Sequence, residues 1–303
     1  MDKAVLVVGS ANQDIVVRVP RVPGEGETIL GSSLSHLSGG KGLNQACACG
    51  ATGVTTVFLG AVGRDEAGEQ LLQTLKENDV LTSRVQHIEE IPTGTAHILV
   101  SDEGGNQIVV VAGANGEVDS GYTKQEMAQL PDTAVVVLQG EIPFDTNREA
   151  ALFAEERGIR TVFNLAPAAE VSPQLLELAD PLVVNEFEAG LVAGVNPPRN
   201  AQEATVAAEL LAQKCRSVIV TLGAAGSVVM EGGECTYIAA DKVEEVVDTT
   251  GAGDAFVGVL ASELAGGSSL VEAAERASHA AGRTVTRSGA ATSYGVIRDL
   301  YRA

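Results

Sequence analysis

Two features of the sequence predict an α/β fold with a mostly parallel central sheet. Short β-branched runs alternate with longer stretches of amphipathic, helical character. Nearly every such run also ends in polar residues, as happens where parallel strands deliver side chains to a binding rim at their carboxyl ends.

Taken in order, the strands are expected at 4–8, 54–59, 134–138, 161–163, 182–184 and 217–220. Each is apolar at nearly every position, which suits strands covered on both faces. Helices are expected at 67–77, 147–157, 173–178, 201–214, 255–264 and 270–282, filling the intervals between them. Two segments break the rhythm. The first, 15–38, holds Pro20, Pro23 and several glycines; the second, 93–112, alternates about Gly104, Gly105 and Asn106. Both read as antiparallel strands, the second as a hairpin of 96–100 and 107–111, and together they suggest a small β lobe or an extension of the main sheet.

The polar strand ends supply Ser10 to Asp14, then Gln139, Gly140 and Glu141, then Asn164, then Asn185 to Glu188, then Thr221, Leu222 and Gly223. Any one of these could be an ordinary loop start, but five of them suit a single cleft.

Of the 303 residues, 45% are apolar, enough for a sizeable core in one large domain or a domain with an accessory lobe. Forty acidic and twenty basic side chains give a net charge of −20, which argues against nucleic acid and anionic membranes as partners. The N-terminal apolar run is too short for a signal segment, and no stretch approaches the roughly 20 apolar residues of a membrane span, so a cytoplasmic protein is expected. Cys47, Cys49, Cys215 and Cys235 lack metal or disulfide spacing, and the four histidines form no close pair.

The chemistry concentrates in Asp248-Thr-Thr-Gly251-Ala252-Gly253-Asp254, which runs straight into an apolar helix. Small residues at a helix start leave backbone N–H groups uncovered for an anion, and Asp254 follows them directly. Alone, this also reads as a capped helix start. Upstream, Gly39-Gly40-Lys41-Gly42-Leu43-Asn44 offers a glycine bend, and Asn12 with Asp14 offers donor and acceptor groups for a polyol, or an Asx turn. The three clusters together suit phosphorylation of a sugar. Neither a Walker A loop nor a Gly-x-Gly-x-x-Gly fingerprint occurs, so nucleotide phosphates must be held in another way.

The set GSANQD, GGKGLNQA, VVNEFEA and DTTGAGDAF resembles the ribokinase, or PfkB, family of carbohydrate kinases across essentially the whole chain. The resemblance implies one ribokinase-like three-layer α/β/α domain over 1–303, in which segments 15–38 and 93–112 form a lid that also pairs two copies as a homodimer. It implies that ATP phosphorylates a sugar, D-ribose giving D-ribose 5-phosphate, with Asp254 as general base and Gly251, Ala252 and Gly253 as an anion hole. Asn12, Asp14, Gly40, Lys41, Asn44 and Glu141 are then the sugar contacts.

By the same resemblance, Asn185 and Glu188 lie near Mg²⁺ and the phosphates. Thr221, Gly223 and Gly226 form the ATP loop, and Ser278 lies on the adenine side. Asp248, Thr250, Thr284, Arg287, Gly289 and Ser293 surround K⁺, several through carbonyls. Relatives often carry Asn at the place of Ser278 and Pro at that of Thr292. Deoxyribose, fructose or a nucleoside are alternative substrates, although a chain with 3% aromatic residues and no tryptophan offers no evident base pocket. A silent sugar or nucleotide sensor is the alternative outside catalysis.

Overall fold

A computed structural model describes residues 3–103 and 105–302. In chain order the first strands are β1 (Ala4–Val8), β2 (Asn12–Val19), β3 (Ser33–Gly39), β4 (Thr56–Leu59), β5 (Ala61–Gly63), β6 (Val80–Leu81) and β7 (Gln86–Ile88). They are followed by β8 (Gly94–Ser101), β9 (Asn106–Val111), β10 (Thr133–Gln139), β11 (Arg160–Asn164), β12 (Leu182–Val184), β13 (Ser217–Thr221), β14 (Ser227–Glu231) and β15 (Glu234–Ile238). The helices are α1 (Lys41–Ala51), α2 (Glu66–Glu77), α3 (Ser120–Met127), α4 (Phe144–Glu156) and α5 (Pro173–Glu177). The remainder are α6 (Glu186–Ala193), α7 (Ala201–Leu211), α8 (Ala252–Gly266), α9 (Leu270–Thr284) and α10 (Gly295–Arg302).

Nine strands form the main sheet in the order β15-β14-β13-β12-β11-β10-β1-β4-β6. The seven from β13 to β6 run parallel, while β14 and β15 close one edge as an antiparallel hairpin. Their side chains divide by alternation, since successive residues of a strand face opposite ways. Val5, Val7, Val135 and Val137 enter a core with α1, α8 and α9, whereas Leu6, Val8, Val136 and Leu138 enter a second core with α4, α6 and α7. Helices on both faces explain why these strands are apolar throughout.

The small sheet has the order β3-β2-β8-β9. Its outer pairs are antiparallel, and the expected hairpin is present as β8 and β9, with Gly104 of its turn outside the described residues. At its centre, however, β2 and β8 run parallel, with Asn12 opposite Gly94, against the expectation of antiparallel strands. Both strands begin side by side at the rim of the main sheet and leave it in the same direction, so the two excursions can only meet in parallel. A second difference concerns β2, which begins at Asn12. Asn12 and Asp14 are therefore the first turn-free residues of the small sheet, not a loop after β1. Helix α8 likewise begins three residues earlier than the apolar pattern suggests, which brings Asp254 into its first turn.

Candidate active site

Five adjacent strands, β13, β12, β11, β10 and β1, end along one edge of the sheet. Their ends present Thr221, Asn185, Asn164, Glu141 and Ser10, the rim expected from sequence. A cavity of 180 Å³ opens there, lined by Lys41, Asn164, Asn185, Glu188, Thr221, Gly251, Gly253 and Asp254 among others. Two larger hollows, of 470 and 430 Å³, lie elsewhere. Convergent polar groups and perturbed acids distinguish the smaller one as the candidate site.

Helix α1 enters through a bend that only glycine permits. Gly40 caps the helix at φ +89°, and a Cβ there would approach the Asn12 nitrogen to 2.7 Å and the Ala11 Cα to 2.9 Å. A Cβ on Gly42 would stand 2.5 Å from the Ser10 nitrogen. The start of α1 is thereby pressed onto the β1–β2 connection, with Leu43 N–H donating to the Ser10 carbonyl at 2.8 Å. Glu141 Oε2 accepts from the Lys41 N–H at 3.0 Å and from the Ser10 hydroxyl at 2.6 Å. Asn12, Asp14, Gly40, Lys41, Asn44 and Glu141 thus gather around one corner.

Asp254 is the third residue of α8, after the cap Gly251 (φ +77°), Ala252 and Gly253. Tyr294 fixes the cap by donating its hydroxyl to the Gly251 carbonyl at 2.9 Å. The Ala252 N–H donates to the Thr249 carbonyl at 3.2 Å, whereas those of Gly251, Gly253 and Asp254 find no backbone partner among the described residues. The amides without backbone partners therefore flank Ala252 and extend to Asp254 itself, where the sequence expectation named Gly251, Ala252 and Gly253. Asp254 accepts from Asn44 Nδ2 at 3.1 Å and from Gln45 Nε2 at 3.0 Å.

Charge is crowded in this corner. Burial raises the Asp254 carboxyl above its ordinary value, against the pull of Lys41, Gln45 and Asn44 toward the ionised form, and Glu141 adds to the rise. Asp14 is raised to about 7, first by burial and then by Glu141 and Asp254, with Lys41 opposing. Burial works against the Lys41 ammonium, but Asp254, Glu141, Glu188 and Asp14 outweigh it and hold its pKa up. The geometry offers a half-buried carboxylate, an ammonium and amides without backbone partners close together.

On the other side of the cavity, Asn185 and Glu188 form a capping box at the start of α6. Glu188 N–H donates to Asn185 Oδ1 at 2.9 Å, and Asn185 N–H to Glu188 Oε2 at 2.8 Å. Burial raises the Glu188 carboxyl despite that bond and Lys41. Glu188 therefore serves its helix with one oxygen and faces the cavity with the rest of its carboxylate, a donor of the kind a hydrated Mg²⁺ takes. Thr221 lines the cavity, but Gly223 and Gly226 do not. Gly223 opens to solvent, and Gly226 (φ +91°) lets the turn pass beneath the Ala239–Ala240 backbone. Ser278 is half-buried on α9, also outside the cavity lining.

The residues expected around K⁺ meet at two loops. Asp248 binds them together, its carboxylate accepting from Thr250 N–H at 2.9 Å and from Gly289 N–H at 2.8 Å. Its pKa is lowered: burial pushes upward, but the bonds to Thr250, Gly289 and Ser288 prevail. The Thr284 and Ser293 hydroxyls point back at helix and turn carbonyls, those of Ala281 and Ala290, and the Arg287 guanidinium lies 4.0 Å from Asp299. The donors that remain are Asp248 and main-chain carbonyls, all oxygen, which fits a hard monovalent cation better than a transition metal. Among the described residues no group of three His, Cys, Asp or Glu could hold a metal by side chains alone.

Sequence reasoning missed two buried amides. Asn115 accepts from the Ala11 N–H at 2.9 Å and donates to Asn12 Oδ1 at 2.7 Å, which orients the Asn12 amide and leaves its Nδ2 without a partner among the described residues. Gln45 bridges Asp254 and Asn164. Gln45 lay inside the quoted GGKGLNQA stretch; Asn115 had no local signal.

Comparison with known proteins places this site in a family. Residues 2–295 match the pfkB family carbohydrate kinase, and the chain belongs to that family. A ribokinase of Mus musculus is 38% identical over 98% of this chain and 93% of its own length, and one of Lactococcus lactis is 38% identical over 86% and 83%. An Arabidopsis thaliana ribokinase, solved in complex with ribose and ATP, superposes with a TM-score of 0.89 at 30% identity, covering all of both chains.

Proposed function

We propose that this carbohydrate kinase transfers the terminal phosphoryl group of ATP to the 5-hydroxyl of D-ribose. The observation that supports this most directly is Asp254, seated at the start of α8 beside unpartnered amides and facing Asn12, Asp14, Lys41, Asn44 and Glu141. A sugar hydroxyl is a weak nucleophile. Asp254 accepts its proton as the phosphoryl group moves in line, and the amides of Gly251, Gly253 and Asp254 meet the charge that develops.

Asn12 donates to a sugar oxygen, Asp14 and Glu141 accept from sugar hydroxyls, and Gly40 admits the ligand to the backbone. Lys41 balances the acids and the incoming phosphates. The Asn185–Glu188 corner would hold Mg²⁺ through Glu188 and water, where the ion neutralises polyphosphate charge. Thr221 and the turn after it face the nucleotide, with Ser278 toward its base. Asp248 and the carbonyls of Thr250, Thr284, Arg287, Gly289 and Ser293 would hold K⁺ behind the anion cradle. The small sheet acts as a lid over the sugar, and its exposed Leu34, Leu37, Ile108 and Val109 suit pairing with a second copy.

Release of ADP from Mg²⁺-ATP with K⁺ present, measured across ribose, 2-deoxyribose, fructose and several nucleosides, tests the reading. Ribose is expected to be preferred, and Asp254→Asn to bring turnover to background while ATP still binds. Preference for another sugar discards the ribose assignment, and near-parental turnover in the variant removes Asp254 as base.

A further inference from the structure

Gln45 follows Asn44 in α1 and is fully buried. Its Nε2 donates both to Asp254 Oδ1 and to Asn164 Oδ1, each at 3.0 Å. The orientation of this amide is set by its neighbours. Asn164 gives its own Nδ2 to the Val183 carbonyl at 3.1 Å, so its Oδ1 must face Gln45. A Gln45 turned the other way would aim its oxygen at two acceptors, one of them a carboxylate. The polarity that begins at a main-chain carbonyl of β12 thus ends on the acid at the head of α8.

Asn44 also donates to Asp254, but its position differs. It bonds the other carboxylate oxygen, Oδ2, and is itself buried at 7% exposure, whereas Gln45 is fully buried and bonds Oδ1. Gln45 Oε1 has no partner among the described residues. A residue serving only to fill the core would not incur that cost, because methionine or leucine fills such a space without a buried polar atom.

We propose that Gln45 is a positioning residue for the reaction: it holds Asp254 Oδ1 in place and in the ionised state, so that Oδ2, which also accepts from Asn44, is the oxygen turned to the incoming proton. The proposal rests on Asp254 being the base. The charged and titratable groups around Asp254 are Lys41 on α1, Glu141 after β10, Asp14 on β2, Glu188 on α6 and the Tyr294 phenol before α10. Among the described residues the Gln45 side chain bonds none of these groups, only Asp254 itself and Asn164.

A donor to a carboxylate favours its charged form, so losing the donor raises the pKa, and a base that must be ionised then fails at a higher pH. In Gln45→Met, which keeps an unbranched side chain and removes the donor, kcat should fall by roughly 10- to 100-fold with the KM for ATP within about twofold. The acid limb of kcat/KM, and the Asp254 carboxyl followed directly by ¹³C NMR, should both move up by about one pH unit. A folded variant whose Asp254 titrates as in the parent overturns the proposal. Gln45→Glu, nearly isosteric, guards against a Met variant that does not fold: a second carboxylate there should raise Asp254 further, and an unmoved titration again overturns it. If the parent phosphorylates no sugar, the reading of the reaction fails, yet the NMR titration still decides whether Gln45 governs the charge of Asp254.

Discussion

Asp14 stands at the base of β2 with Glu141 and Asp254 for company, and its carboxyl is raised to about 7 by burial and then by those neighbours. A carboxyl raised in the folded state binds its proton more tightly there than in the unfolded chain. Its contribution to stability is therefore intact below about pH 4 and is lost as the pH climbs through 7. Asp14→Asn removes that loss. Without ligand, the variant should melt several degrees above the parent at about pH 8 and together with it at about pH 4, while sugar binding weakens. Equal melting at the higher pH would show that the acid is relieved by some other contact. That Asn12, Asp14, Lys41, Asn44, Glu141 and Asp254 come together was legible in sequence, since all fall at or near strand or helix ends. The buried amides were not, because Gln45 and Asn115 act through contacts with residues more than a hundred positions away, which leave no trace in local pattern.

The pairing of α1 with α8 is what brings Asn44 and Gln45 to Asp254. Its contact surface is made of small residues. A Cβ on Gly258 would stand 2.6 Å from both the Ala48 Cβ and the Gln45 carbonyl, and the Cys49 thiol donates to the Gly258 carbonyl at 3.2 Å. Gly258→Ala should therefore force the helices apart and cost about 1–3 kcal/mol in urea unfolding. Turnover should fall with it, as the Asn44 and Gln45 donors withdraw from Asp254. Gly266→Ala, on the same helix with nothing within 4 Å of its added Cβ, should be neutral or mildly stabilising. Equal effects at the two sites would mean that helix spacing does not set the geometry of the acid. The apolar period announced α8 but placed its start at Ala255, because the glycine-rich first turn carries no hydrophobic signal. The β14–β15 hairpin went unpredicted, and the parallel centre of the small sheet depends on where two distant excursions leave the main sheet.

At the scale of the molecule, the small sheet is exposed to an unusual degree. All six residues of β9 are exposed, with Val109 at 64%, and Leu34 at 60% lies on the opposite edge strand. An open apolar edge of this kind invites pairing with another chain. Sedimentation at micromolar concentration should show a dimer for the parent and a monomer for Val109→Lys, with the main-sheet core unaffected. A parent that sediments as a monomer, or a variant that remains a dimer, removes this face as the interface. The polar rim was foreseen because five neighbouring strands each end in a polar residue, and neighbourhood in the sheet turns separate sequence signals into one cleft.

The cluster of Asp14, Glu141 and Asp254 around Lys41 has a further effect on the proposed reaction. A neutral sugar enters such a corner without electrostatic penalty, because its hydroxyls satisfy carboxylates that otherwise repel one another. Once phosphorylated, the same molecule bears about two negative charges and faces three acids, within a chain whose net charge is −20. On the proposed reading, the pocket would hold the product less well than the substrate. The acids that receive the sugar would then speed departure of the sugar phosphate, without altering the equilibrium of the reaction.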